Sequence, residues 1–199
     1  MNKIKEYIKK RENPVIFDKE GKFIYFPVNK VMQTTLARNL LKNRCIIYKD
    51  NPSLWIEYFE KTDFDNIYKF SIIRNPIDKF ESAYNYLKKQ EKQSKRLKIE
   101  NLNINDFIKN IMINYNNPYD FNSHFERQYE GLYYDDKLLV DNLVKIENIE
   151  DVNDLCSKLG IENNIITNKT KHVDIIYTES IEILKKIYFN DFKYLYKFI

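Results

Sequence analysis

The sequence predicts an α/β fold, in which a mainly parallel sheet carries helices on both faces. Three apolar strands are each followed by an amphipathic helix, and they cover residues 23–26, 70–73 and 143–146. Strands that alternate with helices are typical of a parallel sheet whose two sides are both covered. The chain has 199 residues, of which 43% are hydrophobic. This length favours a single domain, residues 1–199, with a sizeable core.

The first part of the chain predicts a helix and a pair of strands. Residues 1–13 have apolar side chains at helical spacing, and Pro14 ends that helix. Residues 15–17 and 23–26 are either a hairpin or two neighbouring strands, with Gly21 near the turn. A helix over residues 34–42 and a core strand over residues 45–48 are expected to follow.

A cation and two hydroxyls follow the strand of residues 23–26. Lys30 lies in the turn, and Thr34 and Thr35 lie at the start of the next helix. A helix N-terminus presents unpaired N–H groups and about half a positive charge, so it favours anions. This arrangement predicts a phosphate pocket. The alternative is a capped amphipathic helix whose Lys30 is only solvated.

The segment Tyr68 to Leu87 repeats this arrangement. Arg74 follows an apolar strand, Asn75 is a good N-cap, and Pro76 suits the first helical position. Ser82 lies in the second turn of the helix. Because open α/β sheets bind ligands beyond the carboxyl ends of their strands, Arg74 is a second candidate for anion binding.

These segments resemble the sulfotransferases that use 3′-phosphoadenosine 5′-phosphosulfate (PAPS). VNKVMQTTL resembles their 5′-phosphosulfate loop, and RNPIDKFESAYNY resembles their 3′-phosphate segment, in which a Ser stands eight residues after the Arg. The carbohydrate branch is more similar still, since it has counterparts of the His and Gln in HFERQ, of the strand–helix stretch VKIENIEDVNDLCSKLGI, and of Tyr188-Phe-Asn-Asp191-Phe192. The five matches stand in the family's order, from about residue 23 to the C-terminus.

The resemblance implies a P-loop-like sulfotransferase fold and a sulfuryl transfer from PAPS to a hydroxyl of a carbohydrate or glycolipid. Neither a metal nor a nucleic acid is implied. Lys30 would stabilise the leaving phosphate. The donor-binding residues that it implies are Lys30, Gln33, Thr34, Thr35, Arg74 and Ser82, and the acceptor-binding residues are Arg127 and Gln128.

His124 is the predicted general base. The ordinary pKa of histidine, about 6.5, suits proton abstraction at neutral pH, and the chain has only 2 histidines. His172 could instead lie near the cofactor or be structural. Glu81 and Glu126 are the fallback bases.

Two departures from the family pattern keep other functions open. Asn29 stands where the family usually has Pro, and Val31-Met32-Gln33 stand where small residues or Gly are frequent. Such side chains could narrow the pocket or weaken donor binding. One alternative is therefore a degenerate relative that binds nucleotide or glycan without catalysis. A P-loop-like kinase is a weaker one, because the G-x-x-x-x-G-K-[ST] pattern is absent.

Charge and hydropathy limit the partners and the location. The net charge of +4 suits an anionic cofactor or an acidic glycan without demanding nucleic acid. No apolar run reaches the roughly 20 residues of a membrane span, and the first residues lack a signal-peptide pattern. We therefore expect a cytoplasmic, bacterial-like protein in which Cys45 and Cys156 are reduced core residues. The basic residues of the segment 88–98 are either a solvated helix end or a lip that attracts an acidic acceptor. Trp55 is a core residue more readily than a ring that stacks on adenine or sugar.

Overall fold

The computed structural model describes residues 5, 7–8, 15–31, 36, 44–47, 52–161 and 176–197. The chain divides into two compact units, Met1–Ile73 with Glu130–Ile165 and Arg74–Tyr129 with Ile166–Ile199. The predicted helices over residues 1–13 and 34–42 lie almost entirely outside the described residues. His172 lies outside them as well.

Within its described residues, the first unit contains a five-stranded mixed sheet. Its strands are Ile16–Asp18 (β1), Phe23–Tyr25 (β2), Cys45–Ile47 (β3), Tyr68–Ile73 (β4) and Asn142–Lys145 (β7), and their order in the sheet is β3-β1-β2-β4-β7. The strands β2, β4 and β7 pair in parallel, whereas β1 pairs antiparallel with both β2 and β3. The sheet is therefore mixed where the sequence predicted a mainly parallel one. The turn between β1 and β2, with Gly21 at φ 71°, is too short for a parallel crossover and closes a hairpin.

One face of this sheet packs on the helix Pro52–Lys61. Phe17 of β1 meets the Trp55 ring edge-on, with 5.5 Å between the ring centroids. Trp55 stacks on Phe59 at 4.9 Å and is 7% exposed, and its indole N–H donates to the carbonyl of Val15 at 3.3 Å. Trp55 is thus a core residue, as its apolar neighbours in the sequence indicated.

The opposite face packs on the helix Ile149–Leu159. Side chains alternate along a strand, and the register of β1, β2 and β4 puts Tyr68 on the side away from Phe17. The Lys158 ammonium of that helix lies 3.5 Å from the centroid of the Tyr68 ring. The sheet of the first unit therefore has a helix on each face, as predicted.

The second unit is helical within its described residues, and its core is aromatic. Phe80 packs on Phe125 at 4.9 Å between centroids, and Tyr84 stacks on Phe107 at 5.4 Å. Its helices are Pro76–Lys89, Glu91–Arg96, Ile104–Asn110, Pro118–Phe121 and Thr178–Ile187, with 3₁₀ turns at Met112–Asn114 and Ser123–Phe125 and a π-helical segment at Asp191–Tyr196.

The segment of residues 116–138 is built from short regular pieces. After the helix Gln128–Leu132, the strands Tyr133–Tyr134 (β5) and Lys137–Leu138 (β6) form a hairpin. Asp135 and Asp136 both have positive φ, 49° and 57°, which a two-residue type I′ turn requires. The sequence carries no usual signal for this hairpin, because its turn contains no Gly or Asn.

The predicted N-cap at Asn75 is confirmed, and three other helix ends are capped as well. Asn75, Asn103 and Asn148 each accept backbone N–H bonds at the start of a helix, and Pro76 occupies the first turn after Asn75. Gly160 ends the helix Ile149–Leu159 at φ 66°. These local signals therefore set the helix boundaries around the candidate site.

Both cysteines are free and buried, as expected of core residues. Burial raises the pKa of the Cys45 thiol to about 12, so it is a poor nucleophile. None of the helices in the described ranges is long and apolar enough to cross a lipid bilayer.

Candidate functional site

The turn after β2 has two buried anchors and a half-buried tip. Val28 and Val31 are 3% and 0% exposed, and the N–H of Val31 donates to the carbonyl of Val28 at 3.2 Å. The Tyr25 hydroxyl donates to the carbonyl of Val31 at 3.4 Å. Asn29 and Lys30 form the tip between these anchors. The bulky residue after the lysine therefore points into the core and not into the mouth of the turn.

Lys30 has a left-handed backbone, with φ 64°. It is the third residue of the hydrogen-bonded turn, where a positive φ is typical of type II turns and usually requires Gly or Asn. For other residues this conformation costs about 1–2 kcal/mol, and such strain is found preferentially at functional sites. The backbone is thus strained at the residue predicted to meet the leaving phosphate. Gln33, Thr34 and Thr35 lie outside the described residues, and their roles stay predictions.

The strands β2 and β4 are direct parallel neighbours. Tyr25 is paired with Phe70, and the N–H of Phe26 donates to the carbonyl of Phe70 at 2.9 Å. The Ser71 hydroxyl of β4 donates to the carbonyl of Phe26 at 2.6 Å. Because parallel strands end at the same edge, the two chain segments that carry the predicted donor ligands leave the sheet at neighbouring positions.

Arg74 is the first residue after β4 and comes just before the capped start of the helix Pro76–Lys89. Asn75 accepts the N–H of Ile77 through Oδ1 at 2.9 Å. The Arg74 side chain is half-buried, and its guanidinium has no hydrogen bond or ion pair with another residue of the described part of the chain. Ser82 is half-buried in the second turn of the helix. The predicted 3′-phosphate ligands are thus a guanidinium and a hydroxyl on one capped helical segment.

Gln128 holds the backbone of Arg74 from both sides. The N–H of Arg74 donates to Gln128 Oε1 at 2.9 Å, and Gln128 Nε2 donates to the carbonyl of Arg74 at 2.7 Å. Gln128 is 1% exposed. The resemblance implied that Gln128 binds the acceptor, but the structure directs its amide to Arg74. The acceptor role of Gln128 stays a prediction, and its observed contact is with the backbone of Arg74.

His124 lies in the 3₁₀ turn Ser123–Phe125 with a fixed ring. Asn122 Oδ1 accepts the backbone N–H of His124 at 3.0 Å and lies 2.7 Å from Nδ1. Because one oxygen accepts from both, Nδ1 carries the proton and Nε2 carries the lone pair in the neutral ring. The ring stacks on Tyr86 at 5.1 Å and 21°, and Tyr86 is 43% exposed. This geometry suits a general base that acts through Nε2.

Lys79, a buried lysine that no sequence motif indicated, binds the backbone at His124. Lys79 is 1% exposed, and its ammonium donates to the carbonyls of His124 at 3.3 Å and Glu126 at 2.6 Å. Burial lowers the pKa of Lys79 to about 8, opposed by the nearby charges of Asp191 and Glu126. The spacing gave no signal for Lys79, since it lies outside the apolar stripe of Phe80, Tyr84 and Leu87 on its helix.

A buried aspartate holds the other end of the same segment. Asp191 is 0% exposed, and its carboxylate accepts the N–H groups of Gln128 at 3.0 Å and Tyr129 at 2.8 Å. Burial raises the pKa of Asp191 to about 6, while these N–H groups and Lys79 lower it. The Lys79 ammonium and the Asp191 carboxylate therefore both carry their charge near neutral pH and attract each other. The Tyr-x-x-Asp-Phe resemblance pointed at this residue but gave it no role.

The remaining predicted residues make structural contacts. Arg127 Nε donates to the carbonyl of Ile187 at 2.7 Å, and its guanidinium also reaches the carbonyl of Asn116. Glu81 is 5% exposed and Glu126 is half-buried. The acceptor role of Arg127 and the fallback role of the two glutamates stay predictions.

The basic segment of residues 88–98 is partly committed to the fold. The Lys88 ammonium donates to the carbonyl of Leu102 at 2.6 Å, and Lys95 pairs with Glu91 at 2.6 Å. The exposed cations of the segment are Lys89, Lys92, Lys95, Arg96 and Lys98. The Lys88 ammonium is therefore held against the backbone, and the role of the segment as a lip for an acidic acceptor stays a prediction.

Neither a protein-family model, nor a curated protein, nor a solved structure matches this chain. In the described ranges, no three or more His, Cys, Asp and Glu side chains are grouped so that they could hold a metal ion. The functional assignment therefore depends on the residues and their geometry.

Proposed function

We propose that this protein is a sulfotransferase that moves the sulfuryl group of PAPS to a hydroxyl of a carbohydrate or glycolipid. The observation that carries the proposal is the pair of neighbouring parallel strands, β2 and β4. A turn with a strained lysine follows one strand, and a capped Arg-Asn-Pro helix start follows the other. The order and spacing of these residues are those of the resemblance, in which each segment meets one phosphate of the donor.

The proposed reaction is an in-line displacement at sulfur. The acceptor oxygen forms the new S–O bond, the bond between sulfur and the 5′-phosphate oxygen breaks, and 3′-phosphoadenosine 5′-phosphate leaves. Nε2 of His124 takes the acceptor proton. Lys30 offsets the charge that develops on the leaving oxygen, for which a compact and mobile ammonium is suited.

Arg74 and Ser82 are assigned to the 3′-phosphate. A guanidinium binds phosphate through two parallel charge-assisted hydrogen bonds, and a hydroxyl adds a third donor. The rigid helix start at Asn75 supports this role, because a ligand is bound more tightly by groups that need no reordering. The carbohydrate acceptor comes from the resemblance alone, and the exposed basic residues near residue 90 are compatible with an acidic one.

A donor-binding experiment tests the first half of the proposal. Isothermal titration calorimetry with 3′-phosphoadenosine 5′-phosphate should give binding that is independent of metal and weakened at least about tenfold by Arg74→Ala, which removes a charged hydrogen-bond pair. Arg96→Ala is the matched control, since Arg96 is exposed on another helix. Preferential binding of ATP with Mg²⁺ would instead support a kinase.

A transfer assay tests catalysis. Radiolabelled PAPS is offered to a panel of glycans and glycolipids with wild type, Lys30→Ala and His124→Ala. Both variants should lose about 100-fold or more in kcat, the range of general-base and electrostatic contributions. Lys137→Ala, an exposed lysine of the hairpin, should keep full activity. Donor binding without transfer to any acceptor would favour the non-catalytic alternative.

A further inference from the structure

The backbone of residues 124–129 is held mainly by side chains from other parts of the second unit. Lys79 binds the carbonyls of residues 124 and 126, and the Tyr188 hydroxyl donates to the carbonyl of Phe125 at 2.7 Å. Asp191 binds the N–H groups of residues 128 and 129. Three carbonyls at one end and two N–H groups at the other are therefore satisfied by three buried side chains.

The two ends of this segment lead to different candidate groups. His124 stands at the end that Lys79 holds, and its ring orientation depends on the turn that Asn122 closes. Gln128 stands at the end that Asp191 holds, and its amide clasps the backbone of Arg74. A displacement of either end would move one candidate group and not directly the other.

We propose that Lys79 and Asp191 are positioning residues of the sulfotransferase site. Lys79 fixes the position of His124, and Asp191 fixes the position of Arg74 through Gln128. The inference rests on the proposed function, since it assigns consequences to the base and to the 3′-phosphate ligand. Neither residue touches the reacting atoms. Their effect arises because the reacting groups must be held within a fraction of an ångström of their productive geometry.

The hydrogen-bonding groups of Asp191 and Gln128 explain why a carboxylate is needed at one position and an amide at the other. The carboxylate of Asp191 offers one oxygen to each of two N–H groups at the start of the helix Gln128–Leu132, where a negative charge is favourable. In Asp191→Asn one of these oxygens becomes an NH₂ group that faces an N–H donor. Gln128→Glu makes the equivalent change one step further on, because a carboxylate oxygen would then face the carbonyl of Arg74.

The inference predicts two separate kinetic signatures. Asp191→Asn and Gln128→Glu should weaken the binding of 3′-phosphoadenosine 5′-phosphate by about tenfold or more, as Arg74 loses its position. Lys79→Met should lower kcat by about 10- to 100-fold with a smaller change in donor affinity, because it acts at the base. A residue needed only for folding would not separate the two parameters.

The experiment combines calorimetry and kinetics with amide hydrogen exchange on the full chain. The exchange of the Arg74 N–H is compared with that of the Phe107 N–H, which bonds to Asn103 in the same unit at 3.0 Å. In Asp191→Asn and Gln128→Glu, the hydrogen exchange of the Arg74 N–H should be faster by about tenfold or more relative to that of the Phe107 N–H. The reason is that the hydrogen bond between Arg74 and residue 128 is weakened. Asp154→Asn, an exposed aspartate on another helix, should change neither amide.

Accelerated exchange at Arg74 together with weakened donor binding supports the inference. If Arg74 exchange and donor affinity are both unchanged in folded Asp191→Asn and Gln128→Glu, the inference is overturned. A wild-type protein that binds no 3′-phosphoadenosine 5′-phosphate overturns it too, through the proposed function. The exchange data then identify which part failed, because they show whether Asp191 and Gln128 hold Arg74 with no ligand present.

Discussion

The turn at Lys30 and the helix start at Arg74 present cations in two physically different ways. Lys30 stands on a strained backbone, and the anchors on either side of it, Val28 and Val31, are apolar. Arg74 stands on a relaxed backbone that Asn75 caps and Gln128 clasps. The first cation stands on a turn anchored by buried valines, and the second on a backbone that other side chains hold by hydrogen bonds.

The difference matches the two tasks proposed for these cations. A lysine that follows charge on a departing oxygen acts as a compact charge on a flexible stem. An arginine that holds a permanent phosphate needs a fixed fork, which a hydrogen-bonded backbone provides. Disruption of the buried charges of Lys79 or Asp191 should therefore destabilise the second unit strongly, whereas relief of backbone strain should stabilise the turn at Lys30.

The largest effect is expected from Lys79→Met. The variant leaves the carbonyls of His124 and Glu126 without their charged donor, and each unsatisfied group costs about 1–3 kcal/mol. The pKa of Asp191, about 6 with Lys79 present, should then rise further. When the pKa of an aspartate is higher in the folded state than in the unfolded state, the protein loses stability as pH rises from the unfolded-state pKa to the folded-state pKa. The loss should therefore be about 1 kcal/mol larger at pH 7 than at pH 5, as measured by urea unfolding.

The control for this prediction is Lys61→Met, which breaks an exposed pair with Glu57. Exposed pairs contribute little, so the unfolding midpoint should hardly move at either pH. A Lys79→Met variant whose stability loss is equal at pH 5 and pH 7 would show that Asp191 does not depend on Lys79.

A smaller effect of opposite sign is expected at Lys30. Lys30→Gly should be about 1 kcal/mol more stable than Lys30→Ala, since only Gly adopts φ 64° without a steric cost. Neither variant has an ammonium, so both should be inactive and the comparison isolates the backbone. Thermal or urea unfolding measures the difference.

Lys22 provides the matched position without strain, because its φ is not positive. Lys22→Gly should be less stable than Lys22→Ala, because glycine gives the unfolded chain more conformational freedom. If Lys30→Gly is also less stable than Lys30→Ala, the strain attributed to the turn is absent.

The parts of the fold that the sequence predicted are those with local causes. Asn75 acts within two residues of its own position, and its capping role was correctly predicted. The hydrophobic spacing likewise located the strands β2, β4 and β7, and it placed Arg74 directly after β4. The direction of β1 was open, because apolar spacing does not distinguish a hairpin from a parallel neighbour.

The parts that the sequence did not predict depend on distant partners. Asp191 meets Gln128 across 63 positions of the chain, and Gln128 meets Arg74 across 54. No periodic pattern encodes such pairs, and a buried lysine among apolar residues indicates only that some partner must exist. The positive φ of Lys30 was equally hidden, since nothing in its neighbours requires it.

The smallest effect is expected from Asn75→Ala. This variant removes the N-cap and keeps the two hydrogen bonds between Gln128 and the Arg74 backbone. Loss of an N-cap costs about 1 kcal/mol, so the unfolding free energy should fall by that amount, as it should in Asn103→Ala at another helix. Donor affinity, in contrast, should stay within about twofold, because two hydrogen bonds from Gln128 still fix the Arg74 backbone. Calorimetry with 3′-phosphoadenosine 5′-phosphate measures this affinity in both variants. A tenfold loss in Asn75→Ala alone would mean that the cap, rather than Gln128, holds Arg74 in place.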